Sequence, residues 1–197
     1  MIGYLSGEIT IVDPTLIMVD VGGIGYEVKI SLNTYSKLKD SKKAKVYTYL
    51  HIKEDAHTLY GFSNPDEKSL FIKLISISGV GPSTAILMLS SMGVTEIQES
   101  IAAEDVATIK RVKGIGTKTA ERIVLELKDK IRKEISGESI IDIVPDSMNV
   151  IREEALIALV TLGIQKSMAE KSINIILKKA DKDVTLEEVI KLALKTA

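Results

Sequence analysis

The sequence predicts a multidomain α+β protein: an N-terminal β-barrel, a helical middle domain and a three-helix module at the end. Three observations predict it. Turn residues cut residues 1–62 into five short segments rich in β-branched and aromatic side chains. At Asn64 the apolar period changes from about 2 to about 3.6. An acidic stretch, residues 134–148 reading EISGESIIDIVPDSM, then interrupts the helical pattern before it resumes.

The five strands are expected at Tyr4–Val12, Leu16–Val21, Tyr26–Ile30, KVYTYLHI (45–52) and TLYGF (58–62). Asp13-Pro14 marks the first turn. GGIG at 22–25 marks the second, where glycine admits the positive φ of a tight hairpin. SLNTYSKLKD (31–40) is expected to hold a short helix. Five strands at this spacing suit a small Greek-key barrel of the OB type.

In the middle block, Asn64 is positioned to cap a helix opened by Pro65. A second helix follows GVGPS, and TEIQ (95–98) has the spacing of a capping box for a third. AAEDVATIKRV and TKTAERIVLELKDKIRK are read as the remaining helices. Gly137, Pro145 and four acids make 134–148 a predicted flexible linker. In the last module IREEALIALVTL ends at Gly163, a predicted C-terminal cap. SMAE (167–170) and TLEE (185–188) are predicted capping boxes. Leu156, Leu159, Leu162, Ile175, Ile176, Leu177, Ile190 and Leu194 are assigned mostly to the module's own core. A core this small is marginal, so some of them are expected to stay exposed for a partner.

Composition excludes several classes. The chain has 197 residues and no cysteine, which removes disulfides, thiolate metal sites and cysteine nucleophiles and suits a reducing, cytoplasmic setting. His51 and His57 are the only histidines. They are too few for a histidine metal site and are read as structural or solvated. No apolar run approaches the roughly 20 residues of a membrane span, and the N-terminus does not read as a signal peptide. Net charge is −1, but residues 110–133 carry 9 basic and 3 acidic side chains. That window is the chain's one candidate surface for a polyanion.

RVKGIGTKTAERIVLEL (111–127) lies in this window. Lys118-Thr119 brings a Walker A loop to mind, but Thr117 stands where the second glycine belongs and no strand precedes. A better reading comes from repetition. ISGVGPSTAILML (77–89) and VKGIGTKTAERIV (112–124) align at an offset of 35 residues. Gly79, Val80 and Gly81 match Gly114, Ile115 and Gly116, and Ala85 matches Ala120. Each copy reads helix, G-h-G turn, helix: a helix-hairpin-helix. The glycines let the chain reverse and bring backbone N–H groups to the surface at the positive end of a helix, where an anion is favoured. A phosphate is then held without reading a base. Lys118 and Arg122, one helical turn apart, add positive charge. A plain αα-hairpin with glycine at the corner is the competing account of a single copy; two copies, one in the basic window, favour DNA.

MIGYLSG, VDVGGIGYEV, HIKEDAHTLYGF, GVGP and GIGTKTAER occur in this order, followed by a linker and a three-helix module. In this the chain resembles the RuvA family, the Holliday-junction-binding subunits of the RuvAB branch-migration complex. The motifs make the likeness specific over residues 1–130; beyond that it rests on layout. The resemblance implies a homotetramer, or an octamer, on a four-way junction. It implies the separate ATPase RuvB as motor, docked on residues 149–197, and RuvC resolvase as a further partner. It implies no catalytic site, cofactor or metal in this chain. DNA contacts are then expected from Lys53, Gly79, Val80, Gly81, Ser83, Gly114, Ile115, Gly116, Thr117, Lys118 and Arg122. Ser83 and Thr117 stand where some relatives have lysine, which predicts lower affinity and a shallower salt dependence.

Glu54-Asp55 admits three readings. It is a solvated loop pair, a metal-binding nuclease pair, or, from the resemblance, the family's acidic pin. As a pin, four copies would meet at the centre of a tetramer and repel phosphates at the crossover. Two other functions compete with junction binding. A helix-hairpin-helix repair enzyme would place a catalytic acid after the hairpin, where Glu126 and Asp129 read better as surface ion pairs. An RNA-binding OB protein would need exposed aromatics for stacking, and only 4% of residues are aromatic.

Overall fold

The computed structural model describes residues 1–135, 147–179 and 184–196. They form two compact units, one ending at Ile135 and the other beginning beyond it.

Unit one opens with five strands: β1 (Tyr4–Asp13), β2 (Leu16–Val21), β3 (Ile24–Ile30), β4 (Lys43–Ile52) and β5 (His57–Phe62). They close into a barrel in the order β1-β2-β3-β5-β4, with β4 returning to pair with β1. Only β3 and β5 run parallel. The helix α1 (Leu32–Leu38) makes that crossover possible, since parallel neighbours cannot be joined by a tight turn. Inward positions alternate along the strands, so Leu5, Ile17, Val19, Val28, Ile30 and Val46 fill the barrel, with Leu38 of α1 beside them. Gly22 and Gly23, at φ 64° and 90°, make the β2–β3 hairpin as expected.

The helical block comprises α2 (Pro65–Ile75), α3 (Pro82–Ser91), α4 (Val94–Ala102), α5 (Val106–Lys110) and α6 (Thr117–Ile135). The Asn64 side chain caps α2 by accepting from the Glu67 N–H at 2.8 Å, and Pro65 occupies the first turn. The core of this block reaches back into the barrel. Phe71 is fully buried, with the rings of Phe62, Tyr60 and Tyr49 at 4.9, 5.3 and 5.5 Å. Phe62 and Tyr60 belong to β5, so barrel and helices share one apolar seam. Phe71→Ala is expected to cost about 3–5 kcal/mol, the usual range for a buried aromatic.

Two expectations within this block need correction. TEIQ does not cap α4: Gly93 is the N-cap, and Glu96 accepts from its N–H at 3.3 Å. The box sits two residues earlier than expected, with Gly93 and Glu96 in place of Thr95 and Gln98, because glycine carries no side chain to signal a cap. AAEDVATIKRV is not one helix. Glu104 adopts φ 61° and breaks it, leaving α5 only five residues.

In the second unit, α7 (Ser147–Thr161), α8 (Lys166–Lys179) and α9 (Leu186–Thr196) pack around Ala155, Leu159, Ala169, Ile173, Val189 and Ala193. Three alanines let the helices approach closely and leave a thin core. Gly163, at φ 93°, ends α7 in a Schellman motif: Ile164 N–H reaches the Leu159 carbonyl and Gly163 N–H the Val160 carbonyl, both at 3.0 Å. Thr185 and Glu188 form the predicted reciprocal box. SMAE does not, because α8 already begins at Lys166 and puts Ser167 inside it. Of the apolar residues assigned mostly to this core, Leu162, Ile175 and Leu194 are the ones that stay exposed; Ile157, not among them, is exposed as well. The predicted linker, 134–148, falls mostly outside the described residues; its first two residues belong to α6 and its last two to α7.

Candidate nucleic-acid interface

The two G-h-G turns share one backbone. In the first, Val80 N–H bonds the Ile77 carbonyl at 3.0 Å; in the second, Ile115 N–H bonds the Val112 carbonyl at 3.1 Å. Gly79 and Gly114 have φ 93° and 88°, a region costly for any residue with a Cβ. Val80 and Ile115 turn inward and are buried. Ala85 and Ala120, fully buried, start the regular bonding of α3 and α6 by donating to the Gly81 and Gly116 carbonyls at 3.0 and 2.9 Å.

Gly81 and Gly116 differ in kind from Gly79 and Gly114. Neither has a positive φ, and a Cβ built on either meets nothing within 4 Å. The fold therefore does not require glycine there. What a side chain would obstruct is approach from outside. The N–H groups of Gly81, Ser83 and Thr84 at α3, and of Gly116, Thr117, Lys118 and Thr119 at α6, make no backbone hydrogen bond. Pro82 removes one donor from the first set. The structure also brings the turns side by side: the Thr119 hydroxyl lies 3.9 Å from where a Gly79 Cβ would be, and Arg122 donates to the Ser78 carbonyl at 3.3 Å.

Several expected contact residues have protein partners that sequence spacing could not reveal. Arg122 bridges the hairpins through Ser78 and pairs with Glu126 at 3.8 Å, so its guanidinium is partly engaged. The Ser83 hydroxyl faces the Tyr60 phenol of the barrel; burial raises the Tyr60 pKa and the Ser83 hydroxyl pulls it partly back. Lys128 and Arg132 of the basic window both hold Glu104, at 3.1 and 2.9 Å. Arg132 also donates twice to the Ala102 carbonyl. The Lys128 bond, then that of Arg132, holds the Glu104 carboxyl below its usual pKa. This ion cluster fixes the left-handed break between α4 and α5 against α6. Lys118 is exposed, as are Lys110, Arg111 and Lys113 just before the second turn. They put positive charge at the surface beside that turn, and exposed Lys130 adds more along α6.

Lys53, Glu54 and Asp55 sit at the tip of the β4–β5 hairpin, where Lys53 N–H bonds the Ala56 carbonyl at 2.9 Å. All three are exposed, and none makes an ion pair among the described residues. His57 follows them and is solvated. His51 is structural: its ring stacks on Tyr49 at 6.4 Å, and its Nε2 is enclosed without a hydrogen-bond partner. No group of three or more histidine, aspartate or glutamate side chains capable of holding a metal occurs among the described residues. No described helix is long and apolar enough to cross a membrane.

The comparisons with known proteins agree with this layout. Residues 1–61 match the RuvA N-terminal domain, 71–129 a SAM-like helix-hairpin-helix tandem, and 150–197 the RuvA C-terminal domain. A protein of Cytophaga hutchinsonii named Holliday junction branch migration complex subunit RuvA is 53% identical over 197 residues, covering 99% of each chain. Proteins of the same name from Amoebophilus asiaticus and Christiangramia forsetii are 49% and 48% identical, again over 99% of this chain and 100% and 99% of theirs. With three domain matches in order and relatives of this identity along the full length, the chain belongs to the RuvA family.

Proposed function

We propose that this chain binds four-way DNA junctions without sequence specificity, holds them open and connects them to a separate motor for branch migration. One observation carries the reading: two turns of the same backbone, side by side, each presenting unpaired N–H groups beside a glycine that the fold itself does not require. N–H groups at a helix start grip phosphate oxygens and are blind to base identity. Gly79, Val80, Gly81 and Ser83 form one grip; Gly114, Ile115, Gly116, Thr117 and Lys118 form the other. Arg122 supports both from between them, and Lys53 adds charge from the barrel. A duplex laid across paired turns is held on its backbone.

The functional units in this reading are the barrel (1–62), the double helix-hairpin-helix domain (63–133), the linker (134–148) and the terminal module (149–197). Fourfold assembly brings four copies of Glu54 and Asp55 to the crossover, where they repel phosphate. The chain has no Walker A loop, so the motor is another protein, the ATPase RuvB. The exposed Ile157, Leu162, Ile175 and Leu194 give the terminal module an apolar surface for it. The names of the relatives, which specify a branch migration complex, support this division of labour.

A gel with four-way junction, linear duplex and single strand in parallel tests the reading. The junction complex is expected at the lowest protein concentration; equal affinity for all three would end the proposal. A chain stopped at Ile135 is expected to bind junctions as well as the full chain and to lose all stimulation of RuvB. Normal branch migration by that shortened chain would show the module is not the motor dock.

A further inference from the structure

The barrel and the first hairpin are joined by more than apolar packing. Glu67, in the first turn of α2, is 1% exposed. Its carboxylate has no basic partner within ion-pair distance among the described residues. It accepts instead from three hydroxyls: Ser31, Thr34 at 2.7 Å and Ser63 at 3.3 Å. Ser31 and Thr34 belong to the start of α1, which is part of the barrel. The Thr34 hydroxyl also accepts from the Ser63 N–H at 3.0 Å. On the other side of the hairpin, the Asn33 amide donates to the Leu89 and Met92 carbonyls at the end of α3, at 2.5 and 2.9 Å. Leu32 N–H bonds the Ser90 hydroxyl at 3.1 Å.

One seven-residue helix thus holds both open ends of the α2–turn–α3 hairpin: the beginning of α2 and the end of α3. The Gly79–Gly81 turn lies at the far end. α1 also leads into β4, whose hairpin with β5 carries Glu54 and Asp55 at its tip. We propose that Asn33, Thr34 and Glu67 are positioning residues: they set the phosphate-binding turn at a fixed place relative to the acidic hairpin, and so tune the preference for a junction over a duplex. The inference rests on the junction-binding reading above.

The reason is leverage. Eleven residues of α2 span about 16 Å, so a tilt of about 10° at the clamped end moves the turn by about 3 Å. A hydrogen bond to phosphate tolerates about 0.5 Å. Apolar packing alone resists such rocking poorly, because it is not directional. A carboxylate held by three hydroxyls and an amide bridging two carbonyls are directional on both sides of the pivot. The buried Glu67 costs desolvation that only this full set of donors offsets, which favours a single arrangement.

The test uses the full-length chain. Because it contains no cysteine, spin labels can be placed at Ala56→Cys and Ser78→Cys without competition, both positions being exposed. Labelled chain is mixed with an excess of unlabelled chain, and the distance distribution between hairpin and turn is measured without DNA. Junction and duplex affinities are measured on the unlabelled protein. Asn33→Ala and Thr34→Val are each expected to broaden the distribution. They should lower junction affinity about tenfold while duplex affinity stays within about twofold; Thr34→Ser should restore both. If Thr34→Val does not fold, Asn33→Ala, at a half-buried site, decides. An unchanged distribution in folded Asn33→Ala would overturn the proposal, as would a broadened one with junction preference intact. A wild-type chain without junction preference would instead defeat the functional reading, while the distance measurement still reports on the clamp.

Discussion

In the first turn Gly79 stands at φ 93°, Pro82 removes a donor and Ser83 faces Tyr60 of the barrel. In the second, Gly114 stands at φ 88°, every N–H from Gly116 to Thr119 is available, and Lys118 is exposed. One backbone solution thus occurs twice, with opposite attachments. The first turn is neutral and set against the barrel at Ser83, while α1 grips the outer ends of its helices. The second is charged, and its long helix α6 is braced by Glu104 through Lys128 and Arg132. The difference separates two requirements of phosphate binding: location, which needs rigid mounting, and attraction, which needs uncompensated charge.

The largest effects should come from the glycines, and they should divide by position. Gly114→Ala and Gly79→Ala force a Cβ into the left-handed region, which costs about 1–2 kcal/mol of stability and distorts the turn. Gly116→Ala and Gly81→Ala have room and ordinary dihedrals, so melting temperature should hold. Junction affinity should nevertheless fall by roughly tenfold, about 1.4 kcal/mol, because the methyl group sits where phosphate must approach. Melting curves and gel titrations of the four variants check this. A Gly116→Ala protein that binds normally would mean that nothing comes close to that turn.

This division was only half legible in the sequence. The repeat at 35 residues, the Asn64–Pro65 helix start and the five strands are local patterns, and local physics reads them. The two kinds of glycine look identical in a sequence, because φ depends on where the chain goes next. Ser83 and Arg122 were expected to face DNA, yet each has a protein partner from a distant segment: Tyr60 is 23 residues from Ser83, and Ser78 is 44 from Arg122. The clamp on Glu67 was invisible for the same reason. A glutamate in a first helical turn is ordinary; two of its three hydroxyl partners, Ser31 and Thr34, come from a segment no periodicity connects to it. Glu104, a non-glycine residue at positive φ, gave no signal at all and split a predicted helix.

Smaller effects should follow charge. Lys118→Ala is expected to weaken binding to every DNA sequence alike, by about 1 kcal/mol, and to make the salt dependence shallower by about one counterion. Ser83→Lys places a charge at the matching position of the first turn. It should steepen the salt slope by about one, although it replaces the hydroxyl that faces Tyr60. Tyr60→Phe alters the same contact without adding charge and should leave the slope alone. Titrations at several salt concentrations separate the three. A Lys118 variant with altered sequence preference and an unchanged salt slope would contradict backbone recognition.

The acidic hairpin inverts the logic of the second turn. Glu54 and Asp55 are exposed acids in a chain whose proposed ligand is a polyanion, so they should oppose binding and still matter. Repulsion between unit charges about 4 Å apart is on the order of 1 kcal/mol per pair in bulk water and larger where solvent is partly excluded. Fourfold assembly would repeat it at one point. Replacing both acids with asparagine removes the charge and nearly preserves the shape. Linear duplex should then bind more tightly, because a continuous backbone no longer meets negative charge at the centre. Junction binding should tighten less, since an open junction leaves that centre free of phosphate. The preference for junction over duplex should therefore fall. The gap between wild type and variant should narrow at high salt, where screening already weakens the repulsion. Competition between the two DNAs at two salt concentrations measures this directly. If duplex affinity does not change, Glu54 and Asp55 are ordinary solvated residues, and selectivity for junctions must come from the mounting of the two turns alone.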